Sequence, residues 1–140
     1  MAPSALPDYK QKQKLLFKEG APPAALIQQG EQFFAAGWYK DAVDFFAQAE
    51  FTEGLSRIRA TAREEGDAFL LQICLRAQEE EAPEDEWRQL GDRALDLGKL
   101  RFAREAYRQA GYRKGLDKID QMLKPAEAGS AEADPEDPPE

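Results

Sequence analysis

Histidine and asparagine are both missing from this chain, and cysteine occurs once, at Cys74. Each absence closes off a class of chemistry. Without histidine there is no imidazole base, no histidine-bound zinc and no Ser-His-Asp triad. A lone cysteine excludes an intrachain disulfide framework and any site built from several thiolates. Cys74 sits within Leu70–Leu75, an apolar stretch, and reads as a small buried hydrophobe with no base to activate it. No apolar run approaches the roughly 18–20 residues that span a bilayer, and the opening MAPSALPDYKQK has no apolar core of a signal peptide. Excess positive charge is missing too. The 19 Lys and Arg against 27 Asp and Glu leave a net charge of −8, which argues against a nucleic-acid backbone as the main partner. The expectation is a cytoplasmic protein with no membrane, nucleic acid, cofactor or metal as partner, and with no catalytic residue.

What charge there is divides the 140 residues into three parts. Residues 1–20 carry Lys10, Lys12, Lys14 and Lys18 against Asp8 and Glu19, a basic arm or short helix. Residues 125–140 carry six acids, no base and four prolines, so they bury too little apolar surface to offset ordering and read as disordered. Between them, 21–124 hold nearly all the aromatic residues and form one domain of ordinary size. The basic arm, with Tyr9, Leu15, Leu16 and Phe17 among its lysines, either packs on this domain or docks elsewhere.

The domain repeats itself. Residues 28–58 overlie 89–119 at an offset of 61 with nine identities in 31 positions, and most of the shared residues are small or apolar. Twice a thirty-residue helical unit is about 61, which predicts a degenerate copy in between. Leu55, Ile58 and Ala62 before Gly66, with Leu70, Leu71 and Leu75 after it, supply that copy. Gly37, Gly66 and Gly98 are then equivalent turn residues. In the first copy a helix is expected from Ala24 to Ala36 and another from about Tyr39 to Ala49, where Ala42, Phe45, Phe46 and Ala49 make one apolar stripe. Ala103, Ala106, Tyr107 and Ala110 form the same stripe in the third copy. Pro22, Pro23 and Pro83 stand where a first helical turn tolerates proline. β-branched residues are few and nowhere alternate with polar ones, so no strand is expected.

Trp87, Leu90, Gly91, Gly98, Ala103, Tyr107 and Ala110 in the third copy resemble the tetratricopeptide repeat, as do Gly30, Phe33, Gly37, Tyr39, Ala42, Phe46 and Ala49 in the first. The resemblance covers roughly 23–117. It implies an all-α fold: a short α-solenoid of about three antiparallel helical hairpins, with 112–123 as a capping helix. Gly54 and Gly115 replace the proline that the family sets near the repeat end. True membership and a related hairpin array of the coatomer or clathrin type both stay open.

The resemblance also implies peptide binding on a concave face made by the first helix of each hairpin. By position that face would include Ile27, Glu31, Phe34, Arg63, Arg88, Asp92 and Leu95 as protein-binding residues. A carboxylate clamp of the kind some relatives use needs asparagine, so capture of chaperone tails is excluded. Arg101, Arg104 and Arg108 make one helical ridge that fits an acidic partner or nucleic acid, or else a solvated outer face touched by the chain's own acidic tail; the outer face is favoured, because no stacking aromatics are interleaved outside the core stripe. The acids of 79–86 read as a loop running into the next helix start, where the dipole favours them. Trp38 or Phe34, if exposed, becomes the best anchor for a partner. The function expected is a non-catalytic adaptor or scaffold for a protein segment. The alternative is a dedicated chaperone or assembly factor for a secreted or multisubunit partner.

Overall fold

Pro23 begins a helix, and Gly37 lies in the turn after it. A computed structural model describes residues 8–17 and 22–129, and among these every regular element is an α-helix. In chain order they are α1 (Tyr9–Phe17), α2 (Pro23–Ala35), α3 (Tyr39–Gln48), α4 (Thr52–Glu65), α5 (Ala68–Gln78), α6 (Glu84–Asp96), α7 (Leu100–Ala110) and α8 (Arg113–Gly129). Residues 1–7 and 18–21 of the N-terminal part lie outside the described residues, as does 130–140 of the acidic segment that reads as disordered. The helix α8 passes residue 124, where the sequence reading begins that segment, and continues to Gly129. Ala126, Glu127 and Ala128 are strong helix formers, and a single proline before them does not end the helix.

Residues 36–38 link α2 to α3, 66–67 link α4 to α5, and 97–99 link α6 to α7. The helices of each pair pack on one another, and links this short fold the second helix back along the first. Gly37, Gly66 and Gly98 take left-handed φ values of 83°, 65° and 77°. Gly66 is required twice over, because a Cβ there would lie 2.6 Å from the Cα of Ala94 on α6. The far ends of the pairs repeat as well. Glu50, Glu79 and Gly111, at φ 56°, 55° and 65°, follow α3, α5 and α7. These three positions keep the same separations as the turn glycines, which the sequence pattern conceals because two of them are glutamates.

The pairs also touch one another. The helices α3, α5 and α7 touch in succession, α4 touches α6, α8 packs on α7, and α1 packs on α3. Phe33, Phe45, Phe46, Ile58, Leu71, Cys74, Leu90, Tyr107 and Ile119 are the large side chains buried completely. The described part of the N-terminal arm, α1, thus packs on the domain, with Leu16 in the core. Lys12 donates to Asp41 and, at 2.7 Å, to Asp44 of α3. Burial works against its charge, but the two carboxylates outweigh it and hold the Lys12 pKa above the ordinary lysine value.

Glycine also recurs inside the helices, for a packing reason. A Cβ on Gly30 of α2 would come within 2.5 Å of the Phe46 ring, and one on Gly54 of α4 within 2.6 Å of it. In the third copy Gly91 and Gly115 hold Tyr107 in the same way, at 2.5 and 2.6 Å. Phe51 meets Phe46 edge-on at 5.4 Å, and Tyr112 meets Tyr107 at 5.2 Å. The middle copy solves the same packing differently. The position of Gly30 and Gly91 is held there by Arg59, and that of Phe46 and Tyr107 by Leu75. Arg59 pairs with Glu86 through two bonds of 2.8 Å and with Glu80 through another of 2.8 Å.

Candidate functional site

At the starts of α3, α5 and α7 lie two cavities that share Phe69 and Phe102 and together make one groove, bordered beyond α7 by Leu123 of α8. Its first half, about 580 Å³, is lined by Trp38, Tyr39, Phe69, Leu70, Ile73 and Phe102 among others. Trp38 precedes α3 and is 57% exposed, and Phe69, in the first turn of α5, is 47% exposed. Both are large aromatic surfaces left in water by a small protein whose other described aromatics, Tyr9 apart, are buried or half-buried, the usual mark of a binding surface. Phe69 and Phe102 meet edge-on with ring centroids 5.6 Å apart and belong to both halves of the groove.

The second half, about 710 Å³, is lined by Lys99, Arg101, Phe102, Arg104, Arg108 and Leu123 among others. The Arg101, Arg104 and Arg108 ridge therefore walls a concavity and is not a plain outer face. It borders aromatic side chains after all, contributed by α5 and by the first turn of α7, and helical spacing alone does not place them together. Glu105 tempers this charge: Arg108 pairs with it at 3.2 Å, and Gln72 of α5 donates to it at 2.9 Å. Lys99 donates to the carbonyl of Glu65 at 2.8 Å and so completes the C-terminal end of α4. The apolar half is more mixed at its edge. Asp41 there is engaged by Lys12, and Asp67 caps α5 by accepting from the Leu70 N–H at 3.0 Å. Gly37 and Gly98 face open space where a Cβ would go, so the turns do not close the groove.

The seven residues expected to bind lie elsewhere. Ile27, Glu31 and Phe34 are on α2, Arg63 is on α4, and Arg88, Asp92 and Leu95 are on α6. None lines the apolar groove. The structure brings several of them into local pairings instead. Arg57 of α4 binds Glu31 and lies over the Phe34 ring, 4.9 Å from its centre. Arg63 pairs with Glu86 at 3.1 Å. Arg88 stacks 4.1 Å from the centre of the Tyr112 ring. Asp92 accepts from the Tyr107 hydroxyl at 2.6 Å, and Leu95 packs with the Tyr107 cluster. Ile27, one helical turn before Glu31, is half-buried.

Groups with shifted ionisation also lie outside the groove. Arg59, through Glu86, holds that carboxylate below the usual range, against the opposing effect of burial. Burial pushes the Cys74 thiol up to about 12. Burial, and then the Asp92 carboxylate, raise Tyr107 above the ordinary phenol value. Each belongs to the packing between helices. Among the described residues no cluster of Cys, Asp and Glu is arranged to hold a metal ion, and no helix is long and apolar enough to cross a membrane. No family model, no curated protein and no solved structure matches this chain.

Proposed function

We propose that this protein is a non-catalytic adaptor that holds a segment of another protein in the groove between α3, α5 and α7. In this reading the three helix pairs form a short tetratricopeptide-like α-solenoid, and α8 caps it. The observation that carries the proposal is the placement of exposed Trp38 and Phe69 on one groove that continues, through Phe102, to Arg101, Arg104 and Arg108. Aromatic side chains lose little conformational entropy on binding and give large contact area, while arginines recognise carboxylates through paired donors. The matching segment has one or two bulky apolar residues followed by acids. The family's usual face, on the first helices, is set aside because Glu31, Phe34, Arg63, Arg88 and Asp92 there are engaged by Arg57, Glu86, Tyr112 and Tyr107.

A displayed peptide library selected on the intact protein tests this. Enrichment of apolar–acidic peptides whose affinity falls at least about tenfold in Trp38→Ala and in Phe69→Ala, a loss of about 1.4 kcal/mol, supports the proposal. Peptides that bind both variants as well as the parent, or an unenriched library, defeat it.

A further inference from the structure

We infer that the basic half of the groove takes, as its resident occupant, the acidic segment of this same chain, residues 130–140. Leu123 of α8 lines that half together with Lys99, Arg101, Arg104 and Arg108, so α8 borders the groove six residues before its end at Gly129. From Leu123 the helix continues to Gly129, a rise of roughly 9 Å, and the basic stretch from Lys99 to Arg108 spans only roughly 14 Å of α7. Eleven further residues reach up to roughly 36 Å when extended, which covers the whole basic half. That segment carries Glu132, Asp134, Glu136, Asp137 and Glu140 and no base. It opposes the arginines in sign.

The same residues explain why the occupant stops at the basic half. Apart from alanine and proline the segment has no apolar side chain, and it has no aromatic. It has nothing with which to cover Trp38, which lines the apolar half alone, and no bulky side chain to set against the Phe69 ring that borders both halves. Exposed ion pairs contribute only about 0–1 kcal/mol each. A tether, however, supplies an effective concentration in the millimolar range, and so a weak contact becomes populated. The consequence deepens the proposed function without depending on it: an external acidic segment has to displace the internal one, while its apolar anchors meet no competitor.

The test uses the full chain with a nitroxide attached at Ala133→Cys; Cys74 is buried and does not take the label. In dilute salt the amide signals of residues 99–108 are expected to broaden more than those of α2. The broadening should fall by more than half in about 1 M NaCl, where the screening length is about 3 Å. It should fall likewise in Arg101→Glu/Arg108→Glu. A second full-chain variant, Glu132→Gln/Asp134→Asn/Glu136→Gln/Asp137→Asn, changes only residues beyond α8. It should shift the Gly98 and Lys99 amides in the direction that salt shifts them. Broadening indifferent to salt and to both variants overturns the inference. Broadening that grows with protein concentration also overturns it, since the occupant is then a second copy. No external peptide is present, so failure here leaves the proposed function to its own experiment.

Discussion

Phe46 and Tyr107, 61 residues apart in the chain, are held by the same device: each ring lies between two helical glycines, Gly30 and Gly54 for the first, Gly91 and Gly115 for the second. A methyl group at any of the four would come within 2.6 Å of ring carbon. Gly30→Ala and Gly91→Ala are therefore expected to destabilise the fold by about 2 kcal/mol each through overpacking, despite alanine's better helix propensity. Adding Phe46→Leu to Gly30→Ala should recover part of that loss, because the smaller side chain admits the methyl. Urea denaturation of the single and double variants measures the coupling. A Gly30→Ala protein as stable as its parent would show that the rings are not gripped.

Glu50 and Glu79 adopt the left-handed conformation that Gly111 provides without strain. Glu50→Gly and Glu79→Gly should each stabilise the protein by about 0.5 kcal/mol, the relief of the Cβ clash outweighing the added freedom of the unfolded chain. Gly98→Ala, with open space around it, should cost about 1 kcal/mol. Gly66→Ala should cost clearly more, since Ala94 blocks its methyl as well. The order of the four melting temperatures is the measurement.

Arg59 and Glu86 have side chains 17% and 11% exposed, so removing either leaves the other a largely buried charge with one ion pair fewer, Glu86 keeping Arg63 and Arg59 keeping Glu80. Arg59→Ala should cost about 2 kcal/mol. Because Glu86 ionises more easily in the folded state than its ordinary 4.5, its stabilising contribution is present above that value and lost as pH falls through the folded one. Below pH of about 4.5 the parent should lose stability more steeply than Glu86→Gln. Parallel acid limbs for the two proteins would rule out the linkage.

Tyr107 has the opposite sign. Its folded pKa is raised above 10.0, first by burial and then by Asp92, so the folded state keeps a proton that the unfolded chain gives up. This contribution is complete below 10.0 and disappears as pH rises toward the folded value. Tyr107→Phe should cost about 1 kcal/mol at neutral pH from the lost hydrogen bond, with a shallower loss of stability in alkali. Ultraviolet titration of the phenols should find Tyr107 ionising last, with unfolding.

Cys74 is completely buried, and burial moves its thiol from 9.0 up to about 12. At pH 8 a shift of that size lowers the thiolate population by roughly a thousandfold. Alkylation of the native protein should proceed only at the rate of global opening and become rapid in denaturant. Fast labelling without denaturant would contradict the burial.

Much of this architecture was legible in local pattern. Helical spacing marked the stripes of Phe45 and Phe46 and of Ala103, Ala106 and Tyr107, and those stripes are buried. The three turn glycines were visible because few residues other than glycine enter the left-handed region, and a Trp38 left exposed had been marked as an anchor. Glu50 and Glu79 were not visible, since they break that rule in the same geometry. The pairing of Arg59 with Glu86, 27 residues away, was hidden as well.

The chain's composition and periodicity by themselves determined that helices form, where they turn, and which stripe of each goes inward, since these depend on neighbours three or four residues away. Only tertiary packing decided that Trp38, Phe69 and Phe102 share one groove with Arg101, Arg104 and Arg108, and that Glu31, Phe34, Arg63 and Asp92 are engaged by Arg57, Glu86 and Tyr107 of neighbouring helices. Those six groove residues come from three stretches of chain some thirty residues apart. Periodicity identifies the face that a helix buries; which neighbour covers it, and what gap remains, depends on how the pairs stack.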